Sequence, residues 1–135
     1  EKKWNDILFH NTNIAMKTIL VIEDELYLSE AIKFKLDGRG FKTIIAGTAE
    51  EGLEFLLSKE IHLIWLDLRL PKMDGIKFLE KIRNNEKLKD KKVVVVSVSA
   101  DVEKQERAKE LGVLDYILKS DLQLEEIIDK IEKKM

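Results

Sequence analysis

No cysteine occurs in the sequence, which excludes disulfide frameworks, thiolate nucleophiles and sulfur metal ligands and is compatible with a reducing compartment. Proline occurs once, at Pro71, and glycine six times in 135 residues, which excludes collagen-like and linker-rich chains. Apolar runs are short: stretches such as Leu63 to Leu66 and Val93 to Val96 are a fraction of the roughly 20 residues that a membrane-spanning helix needs. An excess of one charge is also missing. Lys and Arg number 24 against 26 Asp and Glu, for a formal net charge of −2. No basic run is interleaved with aromatics that could stack on bases, so direct nucleic-acid binding is not expected. Residues 1 to 15 carry charge at Glu1, Lys2 and Lys3, a short apolar run from Ile7 to Phe9 and no small-residue cleavage site. They do not read as a secretion signal, and the cytoplasm is the expected compartment.

What remains, 44% hydrophobic and 37% charged residues, is the composition of an ordinary globular protein of one domain. Five short runs rich in β-branched residues punctuate the chain: Thr18 to Ile22, Lys42 to Ala46, Leu63 to Asp67, Val93 to Ser97 and Asp115 to Leu118. They are apolar almost throughout, as expected of parallel strands covered on both faces. Between them lie segments of helical period. Leu28, Ala31, Ile32 and Leu36 mark a first helix over about Leu26 to Leu36, stopped by Gly38 and Gly40. A capping box, Thr48 with Glu51, opens a second that buries Ala49, Leu53, Leu56 and Leu57. The third follows Asp74 and Gly75 with Ile76, Leu79 and Ile82 inward, and the last runs from about Leu122 through Leu124, Ile127, Ile128 and Ile131. The fourth, about Asp101 to Leu111, is different: between Val102 and Leu111 its only apolar residue is Ala108. Helical stability in proteins comes mainly from a buried apolar face, so weak docking and movement are expected of it. Met16 is the natural start of the domain, which runs over residues 16–135, and residues 1–15 are an N-terminal extension, disordered or docked through Trp4, Ile7 and Leu8.

In an open parallel α/β sheet the functional crevice lies at the carboxyl ends of the strands. Glu23 and Asp24 follow the first strand, Asp67 ends the third, Ser97 the fourth, and Lys119 follows the fifth. Singly, each has a structural explanation in capping or solvation. Together, three carboxylates repel unless a cation neutralises them, and an all-oxygen site without His or Cys suits Mg²⁺. Such a site serves phosphoryl transfer: Asp67 as nucleophile, the cation and Lys119 on the phosphoryl oxygens, and the Ser97 hydroxyl donating to an oxygen once the group is attached. Alternation along the strands puts Arg69 on the side of Asp67 and Ser99 on the side of Ser97, where they can tune the lifetime of the phosphoryl group. Asp74, a rival acceptor, reads better as a helix cap, and Trp65 as core. His10 and His62 lack ligand spacing and read as surface residues.

Glu23-Asp24, then Asp67, then Leu70-Pro71-Lys72-Met73-Asp74-Gly75, then Ser97, then Tyr116 and Lys119, resembles the response-regulator receiver family over about Lys17 to Lys133. The resemblance implies a doubly wound, flavodoxin-like sheet of five parallel strands in the order 2-1-3-4-5 with helices on both faces. It implies that Asp67 is phosphorylated by a histidine kinase or phosphotransfer protein. Asp24, Asp67 and the Arg69 backbone carbonyl would ligate Mg²⁺, with Glu23 acting through water. Lys119 would pair with the phosphoryl group, Ser97 would move toward it, and Tyr116 would turn inward as the fourth helix shifts, leaving the face of the fourth and fifth helices for an output domain or target. On this reading the chain is a signalling phosphoacceptor, with self-catalysed transfer and dephosphorylation only. Two positions depart from the family pattern. Ser97 stands where Thr is commoner, and Ser120 stands where Pro usually follows the lysine, so a trans bond is expected there; Ser120 also reads as the start of a capping box with Gln123. A metal-dependent aspartyl-phosphate phosphohydrolase is disfavoured, since Arg69 occupies the place of its second Asp and no segment is left for a cap over the substrate. An interaction module indifferent to phosphate is disfavoured by the complete acceptor set.

Overall fold

The structure, a computed structural model, describes residues 17–135; the N-terminal extension expected over residues 1–15, with His10, lies outside the described residues. Five strands alternate with five helices: β1 Thr18–Ile22, α1 Leu26–Gly38, β2 Lys42–Ala46, α2 Ala49–Ser58, β3 Leu63–Leu66, α3 Gly75–Arg83, β4 Val93–Ser97, α4 Val102–Glu110, β5 Asp115–Leu118 and α5 Leu124–Lys134. The strands form one parallel sheet in the order β2-β1-β3-β4-β5. No helix among the described residues is long and apolar enough to cross a membrane.

Because successive side chains in a strand point to opposite faces, each apolar strand feeds two cores. Leu20, Ile22, Ile64, Leu66, Val93 and Val95 pack under α2 and α3. Ile19, Val21, Leu63, Trp65, Val94 and Val96 pack under α1 and α5. These side chains are fully or almost fully buried, each worth about 1.5–3 kcal/mol relative to exposure.

Helix starts follow local chemistry. The Thr48 hydroxyl accepts from the Glu51 N–H at 3.1 Å, and the Glu51 carboxylate accepts from the Gly47 N–H at 2.7 Å. Asp74 caps α3 by accepting from the Lys77 N–H at 3.0 Å, the structural role expected of it. α5 starts later than expected: Gln123 is its N-cap and donates its N–H to Glu126, 3.0 Å away, while Ser120 lies in the preceding turn. The Ser120–Gln123 box is replaced by one three residues on because the β5–α5 turn, in which the Asp121 N–H reaches Leu118 O, uses up Ser120.

Two helix faces are rotated from the periodicity reading. In α2, Leu57 is 65% exposed and Gly52 is buried instead. A Cβ at Gly52 would sit 2.6 Å from Ile22 Cδ1, so the missing side chain lets α2 press its Ala49–Gly52–Leu56 line onto β1 and turns Leu57 outward. In α1, Ser29, Ile32 and Leu36 are buried while Ala31 is exposed; Ser29 is tolerated inside because its hydroxyl donates to Leu26 O at 2.9 Å.

Candidate functional site

All five parallel strands deliver their carboxyl ends to one edge, and three of the six buried polar residues among those described stand there: Glu23 (3% exposed), Asp67 (4%) and Ser97 (0%). Asp67 leaves β3 one residue past its last paired position. Its N–H donates to Ile22 O at 3.0 Å, which ties it to the neighbouring exit of β1. Glu23 and Asp24 follow directly on β1. One carboxylate oxygen each from Glu23, Asp24 and Asp67 lie within 4.8 Å of one another, with Asp24 exposed to solvent. No other such cluster of potential metal ligands occurs among the described residues.

Lys119 closes the cluster from the end of β5. Its Nζ donates to Glu23 Oε1 at 2.6 Å and to Asp67 Oδ2 at 3.2 Å. The remaining oxygens are oriented by backbone: the Glu25 N–H donates to Glu23 Oε2 at 3.1 Å, and the Arg69 N–H donates to Asp67 Oδ1 at 3.1 Å. Burial pushes the Glu23 carboxyl above the usual carboxylate range, against the opposing pull of Lys119 and the Glu25 N–H. Burial alone would depress the Lys119 ammonium, yet the hydrogen bond to Glu23 and the charge of Asp67 outweigh it and hold the lysine above its ordinary value. Two buried carboxylates and one exposed carboxylate face one ammonium, an arrangement with room for further positive charge. Three hard oxygen donors at this spacing fit a small divalent cation.

The loop from Asp67 to Gly75 holds its shape through two backbone features. Lys72 adopts the left-handed region, φ 63°, which reverses the chain after Pro71. Gly75 lies against the exit of β3: its N–H donates to Leu68 O at 2.9 Å, and a Cβ there would stand 2.6 Å from Leu68 Cα and 2.9 Å from Asp67 O. Only a glycine lets α3 begin this close to the acidic cluster.

Ser97 ends β4 beside β3. Its hydroxyl accepts from the Ser99 N–H at 3.3 Å. Tyr116, expected to turn inward on switching, already has its hydroxyl inward, donating to Ser99 O at 2.8 Å; burial pushes its phenol above the ordinary value. Ser99 is half-buried and Arg69 exposed, at the rim. Trp65 is core, 1% exposed. His62 has a local role instead of a free surface position: its Nδ1 accepts from the Thr18 N–H at 2.9 Å, securing the start of β1. No cis peptide bond occurs among the described residues, so Lys119–Ser120 is trans as expected.

One residue escaped the sequence reading. Arg83, the last residue of α3, donates from Nε to Leu111 O at 2.6 Å, from Nη1 to Lys89 O at 3.0 Å and Lys91 O at 2.8 Å, and from Nη2 to Gly112 O at 3.3 Å. A basic residue in the last turn of a helix ordinarily signals only dipole compensation, and nothing in the spacing of the chain announces a clamp on four carbonyls.

The model of the response regulator receiver domain matches residues 19–132. The chemotaxis protein CheY of Treponema pallidum is 32% identical over 124 residues, covering 88% of this chain and 83% of that protein. The response regulator ArlR of Staphylococcus saprophyticus is 30% identical over 116 residues, 86% of this chain but 51% of that protein. Among solved structures, a CheY-like receiver domain from Methanospirillum hungatei superposes with a TM-score of 0.81 at 28% identity, covering 88% of this chain and 93% of that one. TrrA of Thermotoga maritima, a response regulator crystallised in complex with Mg²⁺ and BeF, superposes with a TM-score of 0.77 at 26% identity, covering 89% of this chain and all of that one (100%).

Proposed function

The chain belongs to the response regulator receiver family, and we propose on that premise that Asp67 accepts a phosphoryl group, with a divalent cation held beside it. The observation that carries this reading is the convergence on Asp67 of two further carboxylates within 4.8 Å and of one ammonium at 3.2 Å. The donor set is all oxygen, which suits Mg²⁺, and the related TrrA was crystallised with Mg²⁺ and BeF. Asp24, Asp67 and the Arg69 carbonyl would hold the ion, with Glu23 acting through water; when bound, the ion supplies positive charge against carboxylate and phosphoryl oxygens.

The protein's own groups divide the remaining work. Asp67 is the nucleophile: one carboxylate oxygen forms the new bond to phosphorus as the bond from phosphorus to the donor's nitrogen or acyl oxygen breaks. Lys119, already on Asp67 Oδ2, is one short displacement from a phosphoryl oxygen and can follow the charge as it moves outward. The Ser97 hydroxyl, which accepts from the Ser99 N–H, has its O–H free to donate a hydrogen bond to the attached group. Arg69 and Ser99, at the rim, screen the acyl phosphate from water and so set its lifetime. Tyr116 and α4 carry the change outward. The phosphodonor is a histidine kinase or phosphotransfer protein, and the receiver acts in the cytoplasm on an output domain or target at the α4 to α5 face. The chain spans about half the length of relatives such as ArlR.

Incubation with acetyl phosphate, with Mg²⁺ or with chelator, followed by intact mass and peptide mapping on wild type and Asp67→Asn tests this. One added phosphate on Asp67, formed only with Mg²⁺ and lost in Asp67→Asn, is expected. Phosphate that survives in Asp67→Asn, or forms equally well in chelator, would overturn it.

A further inference from the structure

We propose that the amino edge of the sheet, opposite Asp67, carries a binding site for a diphosphate group, built by Lys17, Lys91, Lys92 and His62.

These four residues line a cleft of about 280 Å³, together with Ile61, Asp90 and Met135. β1 and β4 flank β3 in the sheet. Lys17, before β1, and Lys91 and Lys92, before β4, therefore stand on either side of Ile61 and His62, which precede β3. Neighbouring strands lie about 4.8 Å apart, which puts the two walls roughly 10 Å from each other. The length of β3 separates this edge from Asp67 by roughly 16 Å.

Cations on this side of a parallel α/β sheet ordinarily compensate helix C-termini, which all end there. Lys17, Lys91 and Lys92 end no helix; each stands one or two residues before a strand. Their donors are also largely unspent. Lys17 Nζ reaches Met135 O at 3.5 Å and Lys91 Nζ reaches Ile61 O at 3.1 Å, one bond each for a group with three donors. His62 adds a donor of fixed identity. The Thr18 N–H reaches its Nδ1 at 2.9 Å, and the His62 N–H returns to Thr18 O at 2.9 Å. A backbone N–H can only donate, so Nδ1 accepts, and the neutral ring carries its hydrogen on Nε2. The nearby Glu60 Oε1, 3.8 Å from Nε2, is out of hydrogen-bond range.

The lining thus sets three ammoniums and an imidazole N–H against the one carboxylate of Asp90, an excess that suits a multiply charged anion. Lysine ammoniums are compact point charges that serve phosphate well, whereas a carboxylate is held best by an arginine fork. Arg83, in the adjoining cleft that shares Asp90, Lys91 and Lys92, spends its guanidinium on four carbonyls. Donors on both walls and a small volume select two linked phosphoryl groups, one toward Lys17 and one toward Lys91 and Lys92.

Titration of the full chain with pyrophosphate, followed by amide NMR shifts, tests the site. In buffer stripped of divalent metal the carboxylates around Asp67 repel the same anion, which keeps the two edges apart. Saturable shifts are expected at Thr18, His62 and Lys91 to Val93, and none at Asp67 to Gly75. Lys17→Gln with Lys92→Gln, one change on each wall, should weaken binding about tenfold or more, as loss of charge-assisted hydrogen bonds does. Lys42→Gln with Lys59→Gln, around a separate cleft of the same edge, should change it by less than about twofold at physiological ionic strength, where distant charges are screened. ADP distinguishes the source of the group: binding as tight as pyrophosphate or tighter points to nucleoside diphosphates, weaker binding to free condensed phosphate, and either result keeps the site. Absence of saturable shifts, or an equal loss in both double variants, would overturn it. So would orthophosphate binding as tightly as pyrophosphate, the mark of an adventitious ion only, or an imidazole nitrogen spectrum that places the His62 hydrogen on Nδ1.

Discussion

Replacing Lys119 by Met removes the single ammonium from a pocket that keeps two buried carboxylates. In the structure Lys119 Nζ lies 2.6 Å from Glu23 and 3.2 Å from Asp67, whose side chains are 2% and 6% exposed. At an effective dielectric of 20 these separations correspond to roughly 6 and 5 kcal/mol of Coulomb attraction. Much of that offsets the desolvation of the three ions, and removing one member of such a pair typically costs about 3–5 kcal/mol because the partners stay buried and uncompensated. Asp24 and the open rim admit some water, so the loss should fall near the lower end, about 3 kcal/mol in urea unfolding at about pH 8 without divalent metal. A domain of this size, typically stable by about 5–15 kcal/mol, survives that loss.

The pH dependence sharpens the test. Glu23 has its carboxyl raised by burial, so its charged form costs stability above the folded value, and that cost fades as acid protonates it. With Lys119 gone the raising is stronger, and the gap between Lys119→Met and wild type should narrow from about pH 8 to about pH 5. At the alkaline end the sign is set by the lysine, whose folded value is raised by Glu23 and Asp67. Its contribution is complete below the ordinary lysine value of about 10.4 and is lost as pH rises through the folded one, so the two proteins converge there as well. An equal gap at about pH 5 and about pH 8, or no gap at about pH 8, would refute the electrostatic account of the site.

Gly75→Ala should cost about 1–3 kcal/mol of stability, because the new methyl meets backbone at Leu68 Cα and Asp67 O and α3 must move. Labelling of Asp67 by acetyl phosphate should slow in parallel; a variant as stable and as quickly labelled as wild type would remove Gly75 from the positioning of the acceptor loop. Tyr116 should ionise above the ordinary phenol value of 10.0, seen as the difference at 295 nm between alkaline titrations of wild type and Tyr116→Phe. The linked stability is complete below the unfolded value and lost as pH rises through the folded one, so wild type should lose stability relative to Tyr116→Phe in that window; a difference titration centred at or below 10.0 would show that the hydroxyl is not held in the half-buried position.

Much of this architecture was legible because parallel strands covered on both faces must be apolar throughout, so runs such as Val93 to Ser97 announced themselves. The site was legible for a related reason: in such a chain a carboxylate or hydroxyl directly after a buried run, as Glu23, Asp67 and Ser97 are, has few structural uses. Helix rotation was not legible. Leu57 satisfies a helical period as well as Leu53 does, and what decides between them is a close contact of Gly52 with Ile22 that involves a residue from another element. Arg83 was hidden for the opposite reason. Arg is common on surfaces, and its role here depends on which carbonyls the folded loops bring to it.

Buried polar groups separate what holds the fold from what it is for. Of the six buried polar residues among those described, Thr18 and Thr43 lie where β1 and β2 begin, and Ser29 bonds within its own helix. The other three are Glu23, Asp67 and Ser97, and all stand at the opposite, carboxyl edge. Two orphans mark the structural half: Thr43 Oγ1 and Trp65 Nε1 have no hydrogen-bond partner, a cost that strand packing bears without any gain in chemistry. At the carboxyl edge the buried carboxylate and hydroxyl oxygens are engaged instead, by the Lys119 ammonium and by the N–H groups of Glu25, Arg69 and Ser99. If Asp67 takes a phosphoryl group as proposed, the new anion competes for these same donors, and only a differential gain in such contacts can favour a second arrangement.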